Sequence, residues 1–540
     1  QALCGPSRTS FLTSRRPDTT KLYDVHSYWR THAGNFTSLP QYFKEHGYHT
    51  VSAGKVFHPG IVSNHSDDQP YSWSEVPYHP PTQAYKQTPV CLGSDGGLHT
   101  NIYCPVEISE QPGGSLPDIQ TTEYVTHWLE EKAKLDKVSA EIQESKPFFI
   151  AVGYHKPHIP LKFPVEYLDF YPLHTVPLAP NNYLPKGMPS VAWNPWNDLR
   201  RREDIVALDV PFPYGPIPRS YERYIRQGYY AATTYIDSLI GRLIRTARKL
   251  FPNTIVALIG DHGWSLGEHQ EWSKYSNFEV STRVPIIISN LEFNSIKIQR
   301  ESDISVNEIN PYNTLLHTLY KKQMEPNFKP FQNVSVRISN NHKEGNKEYR
   351  FKQCADTLRS ENQTLKLSPL VYDGLVELVD LFPTLVDLAG LPFIPSCSVY
   401  SMHTKTCTEG RSLAPLISSV RSQISYEKKK TVMNYRPKKA VFSQYPRPGI
   451  NPSVKPDSDQ PRASEIKIMG YSMRTHRYRY TVWLRFNNVT YEPDWSYIYA
   501  EELYDHKVDE NENHNVCGKD LYKLRKKRLH WQLLKGWQRA

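Results

Sequence analysis

The sequence predicts an α/β protein in which a large, mixed and mostly parallel sheet is flanked by helices. A short helix that begins at Ser38 is followed by a β-like stretch over 48–53. An apolar run over 148–152 is typical of a strand buried on both faces. A long amphipathic helix capped by Ser220 leads into a strand over 254–259. This alternation of helices and strands favours parallel pairing.

Two further segments extend the same pattern, and the C-terminal part differs from it. The stretch RVPIIIS predicts another strand and GLVELVDLFPTLVDLAGL another helix, whereas EIKIMGYSMRTHRYRYTVWLRF is typical of an antiparallel hairpin. Lys-rich sequence without a clear pattern separates the two parts. We therefore predict a larger domain over 1–425 with a polar insertion near 301–368, and a smaller α+β subdomain over 426–540 that contains an antiparallel sheet and a basic tail.

Composition and charge restrict the classes of partner. The chain has 540 residues, of which 39% are hydrophobic and 22% charged, as in ordinary globular proteins. No apolar run is long enough to predict a membrane span. The net charge is +10, with basic clusters over 428–430 and 523–530 that can attract polyanions, although a solvated tail is the commoner explanation. No nucleic-acid-binding motif is recognisable, so we predict no nucleic-acid partner.

The cysteines predict two local disulfides. Two pairs close short loops in sequence rich in Pro, Gly and Ser: Cys91 with Cys104, and Cys397 with Cys407. Cys354 and Cys517 form a third candidate pair, and the alternative is that several of these residues are free buried thiols.

Five glycosylation sequons accompany these cysteines. They begin at Asn35, Asn64, Asn333, Asn362 and Asn488. Their number alone is weak support for secretion, but with the cysteine pairs it favours a lysosomal or secreted protein that passes through the secretory pathway.

Four polar clusters follow predicted elements of the sheet. They are Cys4 with Arg8, Lys55 with His58, His158 alone, and Asp261 with His262 followed by Lys274. Cations of this kind at one sheet edge can bind a tetraoxo anion, while an Asp–His pair can bind a hard cation or transfer protons. Each cluster alone is more often structural. Their recurrence at the same edge predicts an anion site there.

The stretch CGPSRTSFLTSRR resembles the signature of the sulfatases, Cys-x-Pro-Ser-Arg followed by Leu-Thr-Gly-Arg, with Ser14 where the family favours Gly. Longer segments such as GKVFHPG, AVGYHKPHIP, DHGWSLGEH, KYSNF and IKIMGYSMRT resemble one lysosomal member of the family that acts on heparan and dermatan sulfate. The resemblance extends from Cys4 to about residue 505 and leaves out 301–368 and the basic tail.

The resemblance implies an alkaline phosphatase-like fold and a sulfuric ester hydrolase that acts on sulfated glycosaminoglycans. It implies that a formylglycine-generating enzyme oxidises Cys4 to Cα-formylglycine, whose hydrate is the nucleophile and is supported by Arg8. It further implies sulfate-binding side chains at Lys55, His58, His158 and Lys274, with His58 as candidate base. One Ca²⁺ is implied at the modified Cys4, Asp261 and His262. Trp264 and Tyr275 are candidates for sugar contact, but packing explains such aromatic residues equally well.

One expected element of the metal site is not in this sequence. Sulfatases bind calcium through two adjacent aspartates that precede the signature cysteine, and the sequence starts three residues before Cys4. We expect the chain to be N-terminally incomplete, since Asp67 and Asp68 follow no predicted strand and are no substitute. The alternative is a non-catalytic, glycosaminoglycan-binding paralogue. Phosphate-ester chemistry is disfavoured because residue 4 is Cys and not Ser or Thr.

Overall fold

The structure is a computed structural model that describes residues 1–32, 34–139, 146–291, 333–336, 349–353, 370–398, 401–418 and 435–539. The α-helices in these ranges are α1 (Cys4–Thr13), α2 (Pro17–Thr20), α3 (Trp29–His32), α4 (Leu39–Glu45), α5 (Pro117–Ser139), α6 (Asn197–Arg200), α7 (Glu203–Val206), α8 (Arg219–Leu250), α9 (Glu279–Thr282), α10 (Leu381–Leu388) and α11 (Lys523–Lys535). The strands are β1 (His49–Gly54), β2 (Cys91–Leu92), β3 (Leu98–His99), β4 (Tyr103–Val106), β5 (Phe148–Gly153), β6 (Leu161–Pro164), β7 (Ile255–Ile259), β8 (Ser265–Leu266), β9 (Trp272–Ser273), β10 (Ile286–Asn290), β11 (Asn333–Val336), β12 (Tyr349–Gln353), β13 (Leu370–Tyr372), β14 (Ala440–Arg447), β15 (Ile468–Thr475), β16 (Tyr478–Asn487) and β17 (Glu492–Asp505).

Strand pairing confirms the predicted α/β class. Strand β1 pairs parallel with β5, from His49 opposite Phe148 to Gly54 opposite Gly153. Strands β4 and β6 are also parallel, while β10 runs antiparallel to β7, so the strand pairing is mixed. The predicted C-terminal antiparallel sheet is present as well, in the order β14-β15-β16-β17.

Local sequence signals explain the first helix–strand unit. Ser38 caps α4 by accepting a hydrogen bond from the backbone N–H of Gln41 at 3.2 Å, and the Gln41 side chain completes the capping box. Gly54 ends β1 with φ +75° and faces Gly153, where a Cβ on either residue would collide with the neighbouring backbone. The two glycines therefore bring together the loops that follow β1 and β5.

The long helix α8 begins differently from its prediction. Ser220 does not cap it, because the helix starts at Arg219 with Pro218 in the cap position. The Pro218 carbonyl accepts hydrogen bonds from the N–H groups of Tyr221 and Glu222, both at 2.9 Å. The predicted apolar face is present and packs in the main hydrophobic core with β4 and β6.

The chain divides into two units by its contacts, and each is described by itself. The first contains Gln1–Glu292, Val376–Ala414 and Lys439–Ala540. The second contains Phe293–Leu375 and Pro415–Lys438, and its described part includes the antiparallel sheet β11-β12-β13. The predicted division into 1–425 and 426–540, with the insertion near 301–368, stays a prediction.

Both predicted local disulfides are present, Cys91 with Cys104 and Cys397 with Cys407. Cys354 lies outside the described residues, so its pairing with the half-buried Cys517 stays a prediction.

Among the sequons, Asn35 and Asn64 are exposed and Asn488 is half-buried. Asn362 and the side chain of Asn333 lie outside the described part of the chain. No described helix has the length and apolar character that crossing a membrane requires.

A buried acid predicts a pH-dependent stability. Glu271 is 1% exposed; one carboxylate oxygen accepts a hydrogen bond from the N–H of Asn194 at 3.0 Å, and the other has no partner among the described atoms. Burial raises the pKa of Glu271 from 4.5 to about 8. The folded chain therefore keeps a proton that the unfolded chain loses above 4.5, and this contribution to stability decreases as the pH rises towards 8.

Replacing Glu271 by glutamine is expected to remove that decrease. Relative to the unmodified chain, the melting temperature of Glu271→Gln should rise by a few degrees between about pH 5 and about pH 8. Thermal unfolding followed by circular dichroism over this range measures the difference, with Glu166→Gln, an exposed glutamate, as the matched control. A difference that is constant with pH would contradict the assignment.

Candidate active site

Cys4 is the first residue of a buried helix. A Gly-Pro pair is typical of a turn, but here Gly5 and Pro6 lie in the first turn of α1. Proline is tolerated there because the N–H groups of a first turn have no partner within the helix. The Cys4 side chain is 3% exposed and lies at the helix N-terminus, where the backbone dipoles favour negative charge.

Three cationic or imidazole groups surround the Cys4 sulfur. Its Sγ lies 3.2 Å from Nε2 of His262 and 3.4 Å from Nζ of Lys274. The same ammonium lies 3.4 Å from Nε2 of His158. Burial alone would raise the pKa of the Cys4 thiol, but Lys274, Lys55 and His262 outweigh burial and hold this pKa well below its ordinary value. The position favours an anionic or strongly polarised atom on residue 4.

Arg8 joins α1 to the ends of two strands. Its Nε donates to Oδ2 of Asp261 at 2.8 Å, and its Nη1 donates to the backbone oxygens of Lys55 and Val56. Burial disfavours the Asp261 carboxylate, but Arg8 and His262 hold the pKa of Asp261 below its ordinary value. The loops after β1 and β7 are thereby fixed against the helix that carries Cys4.

A cavity of about 170 Å³, called the Cys4 cavity below, opens onto this sulfur. Its polar lining residues are Cys4, His58, His158, Asp198, Arg202, Lys274, Tyr275 and Gln460. Lys55 lines a second cavity next to it, which shares His58 and His158 with the Cys4 cavity. The structure thus brings the predicted anion-binding residues to one place.

In both shared histidines the unprotonated ring nitrogen is Nε2. Nδ1 of His58 donates to the Pro59 oxygen at 2.9 Å and Nδ1 of His158 donates to the Ile159 oxygen at 2.7 Å. Burial, then Lys55, lowers the pKa of His58 to about 4, and burial with Lys274 lowers the pKa of His158 well below its ordinary value. Both rings are therefore neutral near neutral pH, with Nε2 able to accept a proton.

The predicted sugar-contacting aromatic residues surround Lys274. Its Nζ lies 5.7 Å from the ring centroid of Trp264 and 5.5 Å from that of Tyr275. Tyr275 is 3% exposed, and its hydroxyl donates to Oδ2 of Asp198 at 3.1 Å. Both rings hold the lysine by packing and cation–π contact, while Tyr275 also lines the Cys4 cavity.

The predicted metal ligands are close together but form an incomplete donor set. Donor atoms of Cys4, Asp261 and His262 lie within 4.8 Å of one another. Calcium takes six to eight oxygen ligands. Among the described residues this group offers one carboxylate, which is also paired with Arg8. By themselves, these residues do not make a calcium site, and we assign no chemical step to a metal ion.

Asp67 and Asp68, in the region that follows β1, form ion pairs and hydrogen bonds. Asp68 is completely buried and pairs with Arg30, whose Nη2 lies 2.7 Å from Oδ2. Asp67 accepts from the Ser63 hydroxyl at 3.2 Å and lies 3.1 Å from Nε2 of His79. Both carboxylates therefore stabilise the loop that follows β1.

Several residues that line the two cavities were not predicted from the sequence. Asp198 and Arg202 belong to α6 and to the turn before α7, and Lys86 follows a short 3₁₀ turn. Asp118 lies in the first turn of α5, where a Pro-Asp pair at a helix start is a recognisable signal. The others come from irregular segments that carry no comparable pattern.

Comparison with known proteins identifies the class of this α/β chain with its buried cysteine at a helix N-terminus. Residues 1–319 match the family model described as Sulfatase, so the chain belongs to the sulfatase family and is a sulfatase enzyme. It is 45% identical to Iduronate 2-sulfatase of Homo sapiens over 530 residues, which cover 97% of this chain and 85% of that protein. It is 44% identical to Iduronate 2-sulfatase of Mus musculus over 519 residues, 96% of this chain and 82% of that protein.

A solved structure described as a 2-O GAG sulfatase, BT1596, has the same fold. It aligns with a TM-score of 0.51 at 18% identity and covers 99% of this chain and 81% of that chain. The sulfatase fold that the sequence predicts is therefore confirmed.

Proposed function

We propose that this sulfatase removes the 2-O-sulfate from terminal L-iduronate 2-sulfate units of dermatan sulfate and heparan sulfate, with a formylglycine made from Cys4 as nucleophile. The observation that carries the proposal is the position of Cys4 at the N-terminus of α1, with its Sγ 3.4 Å from the Lys274 ammonium and 3.2 Å from His262. The names of the two mammalian relatives support the choice of substrate.

The surroundings of residue 4 fit a formylglycine hydrate. Sγ lies within hydrogen-bonding distance of two polar groups, and Arg8 fixes the helix on which residue 4 lies. When hydrated, the aldehyde supplies one hydroxyl that can attack sulfur and a second whose deprotonation lets sulfate leave and restores the aldehyde.

The chain's own residues bind the sulfate and move protons. Lys274 lines the Cys4 cavity and Lys55 lines the cavity next to it, and both place positive charge where the sulfate oxygens gain negative charge. His58, with Nε2 unprotonated, is placed to take the proton of the second hydroxyl.

His158 is the candidate donor to the sugar oxygen that leaves. Its pKa is low because it is buried beside Lys274, and a bound anionic sulfate offsets that cation and raises the pKa. Proton donation by His158 is thereby coupled to substrate binding.

Three further assignments belong to the same proposal. The Ca²⁺ predicted at residue 4, Asp261 and His262 needs oxygen ligands beyond these three residues, and metal analysis of the purified chain tests it. A formylglycine-generating enzyme is the proposed maturation partner. A lysosomal or secreted location agrees with the two disulfides and with the exposed sequons at Asn35 and Asn64.

One experiment tests nucleophile and substrate together. The peptide that contains residue 4 is analysed by mass spectrometry, and sulfate release is measured with a disaccharide that ends in L-iduronate 2-sulfate. We expect formylglycine at residue 4 and release of one sulfate per disaccharide. Full activity with an unmodified thiol would contradict the nucleophile. Converted residue 4 without sulfate release would contradict the substrate, and retained heparin binding in that case would favour the non-catalytic alternative.

A further inference from the structure

The C-terminal helix α11 has two faces, and one of them packs on the C-terminal antiparallel sheet. Leu529 and Leu533 are buried in the hydrophobic core that this sheet forms. Nζ of Lys526 donates to Oε2 of Glu501 on β17 at 2.6 Å. Because these three helix residues are three and four positions apart, they hold one side of α11 against the sheet.

The opposite side of α11 is exposed to solvent and is called the outer face below. It is formed by residues that are again three or four positions apart, namely Leu524, Lys527, Arg528, Trp531 and Lys535. Leu524 is 73% exposed and Trp531 is 62% exposed. Two large apolar side chains therefore meet water on the same face as three cations.

The charge of this C-terminal segment has a single sign. Residues 521–540 include seven Lys and Arg and no Asp or Glu. Lys526 is paired with Glu501, whereas Lys527, Arg528 and Lys535 belong to no ion pair in the part of the chain that the structure describes. Because unpaired cations on one surface attract anions, the outer face favours a negatively charged partner.

The exposed apolar side chains of the outer face distinguish between two kinds of anionic partner. A sulfated polysaccharide offers charged and hydroxyl groups, which give Leu524 nothing apolar to contact. A bilayer with anionic lipids offers negative headgroups to the cations and an acyl boundary to Leu524 and Trp531. Tryptophan is enriched at that boundary because its ring is apolar and its indole N–H is polar. The outer face therefore fits a membrane surface better than a polysaccharide.

We propose that the outer face of α11 binds the surface of a membrane that contains anionic phospholipids. The helix lies in the plane of the membrane, with Leu524 and Trp531 at the boundary between headgroups and acyl chains and the three cations on lipid phosphates. No residue of the outer face lines the Cys4 cavity or the cavity next to it. Membrane binding is therefore independent of the proposed desulfation.

Co-sedimentation of the full chain with lipid vesicles tests this proposal. The vesicles are either phosphatidylcholine alone or phosphatidylcholine in which one lipid in three is phosphatidylserine. We expect binding to the mixed vesicles, much weaker binding to phosphatidylcholine alone, and weaker binding to both at high salt.

Variants of the outer face separate its charge from its apolar side chains. Lys527→Gln/Arg528→Gln should weaken binding to the mixed vesicles about 25-fold, since each cation near an anionic surface contributes about fivefold. Trp531→Ala should weaken it about tenfold. The matched control is Arg242→Gln/Lys249→Gln, which removes two exposed cations from α8 and should bind as the unmodified chain does. Melting curves verify that each variant folds.

Several results would overturn the membrane proposal. One is that the unmodified chain binds neither kind of vesicle. Another is an equal loss in the two double variants, which would mean that net charge alone drives binding. Unchanged vesicle binding by Trp531→Ala would also contradict it. Immobilised heparin tests the other partner: retention that depends on Lys527 and Arg528, without vesicle binding, would assign the outer face to a sulfated polysaccharide and refute the proposal.

Discussion

Cys4→Ser is expected to lower steady-state sulfate release by at least about 10⁴-fold. Serine fits the first position of α1 and can attack sulfur once, but its sulfate ester lacks the second hydroxyl through which a formylglycine hydrate expels sulfate. The variant should therefore keep one sulfate on residue 4 after a single turnover. Intact-mass spectrometry after incubation with the iduronate 2-sulfate disaccharide measures that adduct, while ion chromatography measures released sulfate.

Cys517→Ser is the matched control for this substitution. Cys517 is a half-buried cysteine that belongs to neither cavity lining, so its replacement should leave sulfate release within about twofold. Melting curves of both variants verify that they fold. Sustained turnover by Cys4→Ser would mean that another group forms the bond to sulfur.

Lys274→Met is expected to lower kcat/KM by about 10²- to 10³-fold, the effect of removing one preorganised charge that stabilises a transition state. Lys274 is 4% exposed, and its ammonium lies between Cys4 and His158. Methionine keeps the packing of the side-chain stem between Trp264 and Tyr275, so the loss reports on charge and not on a cavity. We expect kcat to fall and KM to rise. The fall in kcat is expected because negative charge on the sulfate oxygens grows in the transition state.

A second readout separates charge from misfolding in Lys274→Met. In chains produced without conversion of residue 4, burial raises the pKa of the Cys4 thiol, but Lys274, Lys55 and His262 together keep this pKa low, and Lys274 lowers it most. The variant should therefore need a higher pH for alkylation by iodoacetamide, with the exposed Lys455→Met unchanged. A change in activity below fivefold, or an unaltered alkylation profile, would contradict the assigned role.

The elements that could be predicted from the sequence are those with local signals. Ser38 and its capping box place the start of α4 within one residue, and turn-bounded sequence rich in Tyr, Val and Ile places the C-terminal hairpin. Helix α1 could not be predicted because every residue in it except Arg8 is buried, so it has no polar face to give a helical period. Its conformation depends on tertiary contacts, which a Gly-Pro pair near its start does not reveal.

The residues of the candidate site also differ in whether a local sequence signal predicts their position. Lys55 and Asp261 each come within two residues of a strand end, and Arg8 of α1 donates hydrogen bonds to both of them. Lys86 and Asp198 reach the cavities through long irregular segments whose paths are fixed only by packing in the folded chain. Residues of this kind determine which substrate fits, so substrate preference was harder to predict than chemistry.

The burial of α1 has a consequence for when the enzyme becomes active. Leu3, Cys4 and Gly5 are all buried, and Arg8 ties their helix to two strand ends. An oxidising enzyme must reach the Cβ and sulfur of residue 4, which the native chain does not present. On the proposed route, each chain is therefore committed to activity or inactivity during synthesis, before it folds. The active fraction of a purified preparation should stay fixed when the maturation enzyme is added later, and should increase only when that enzyme is abundant while the chain is being made.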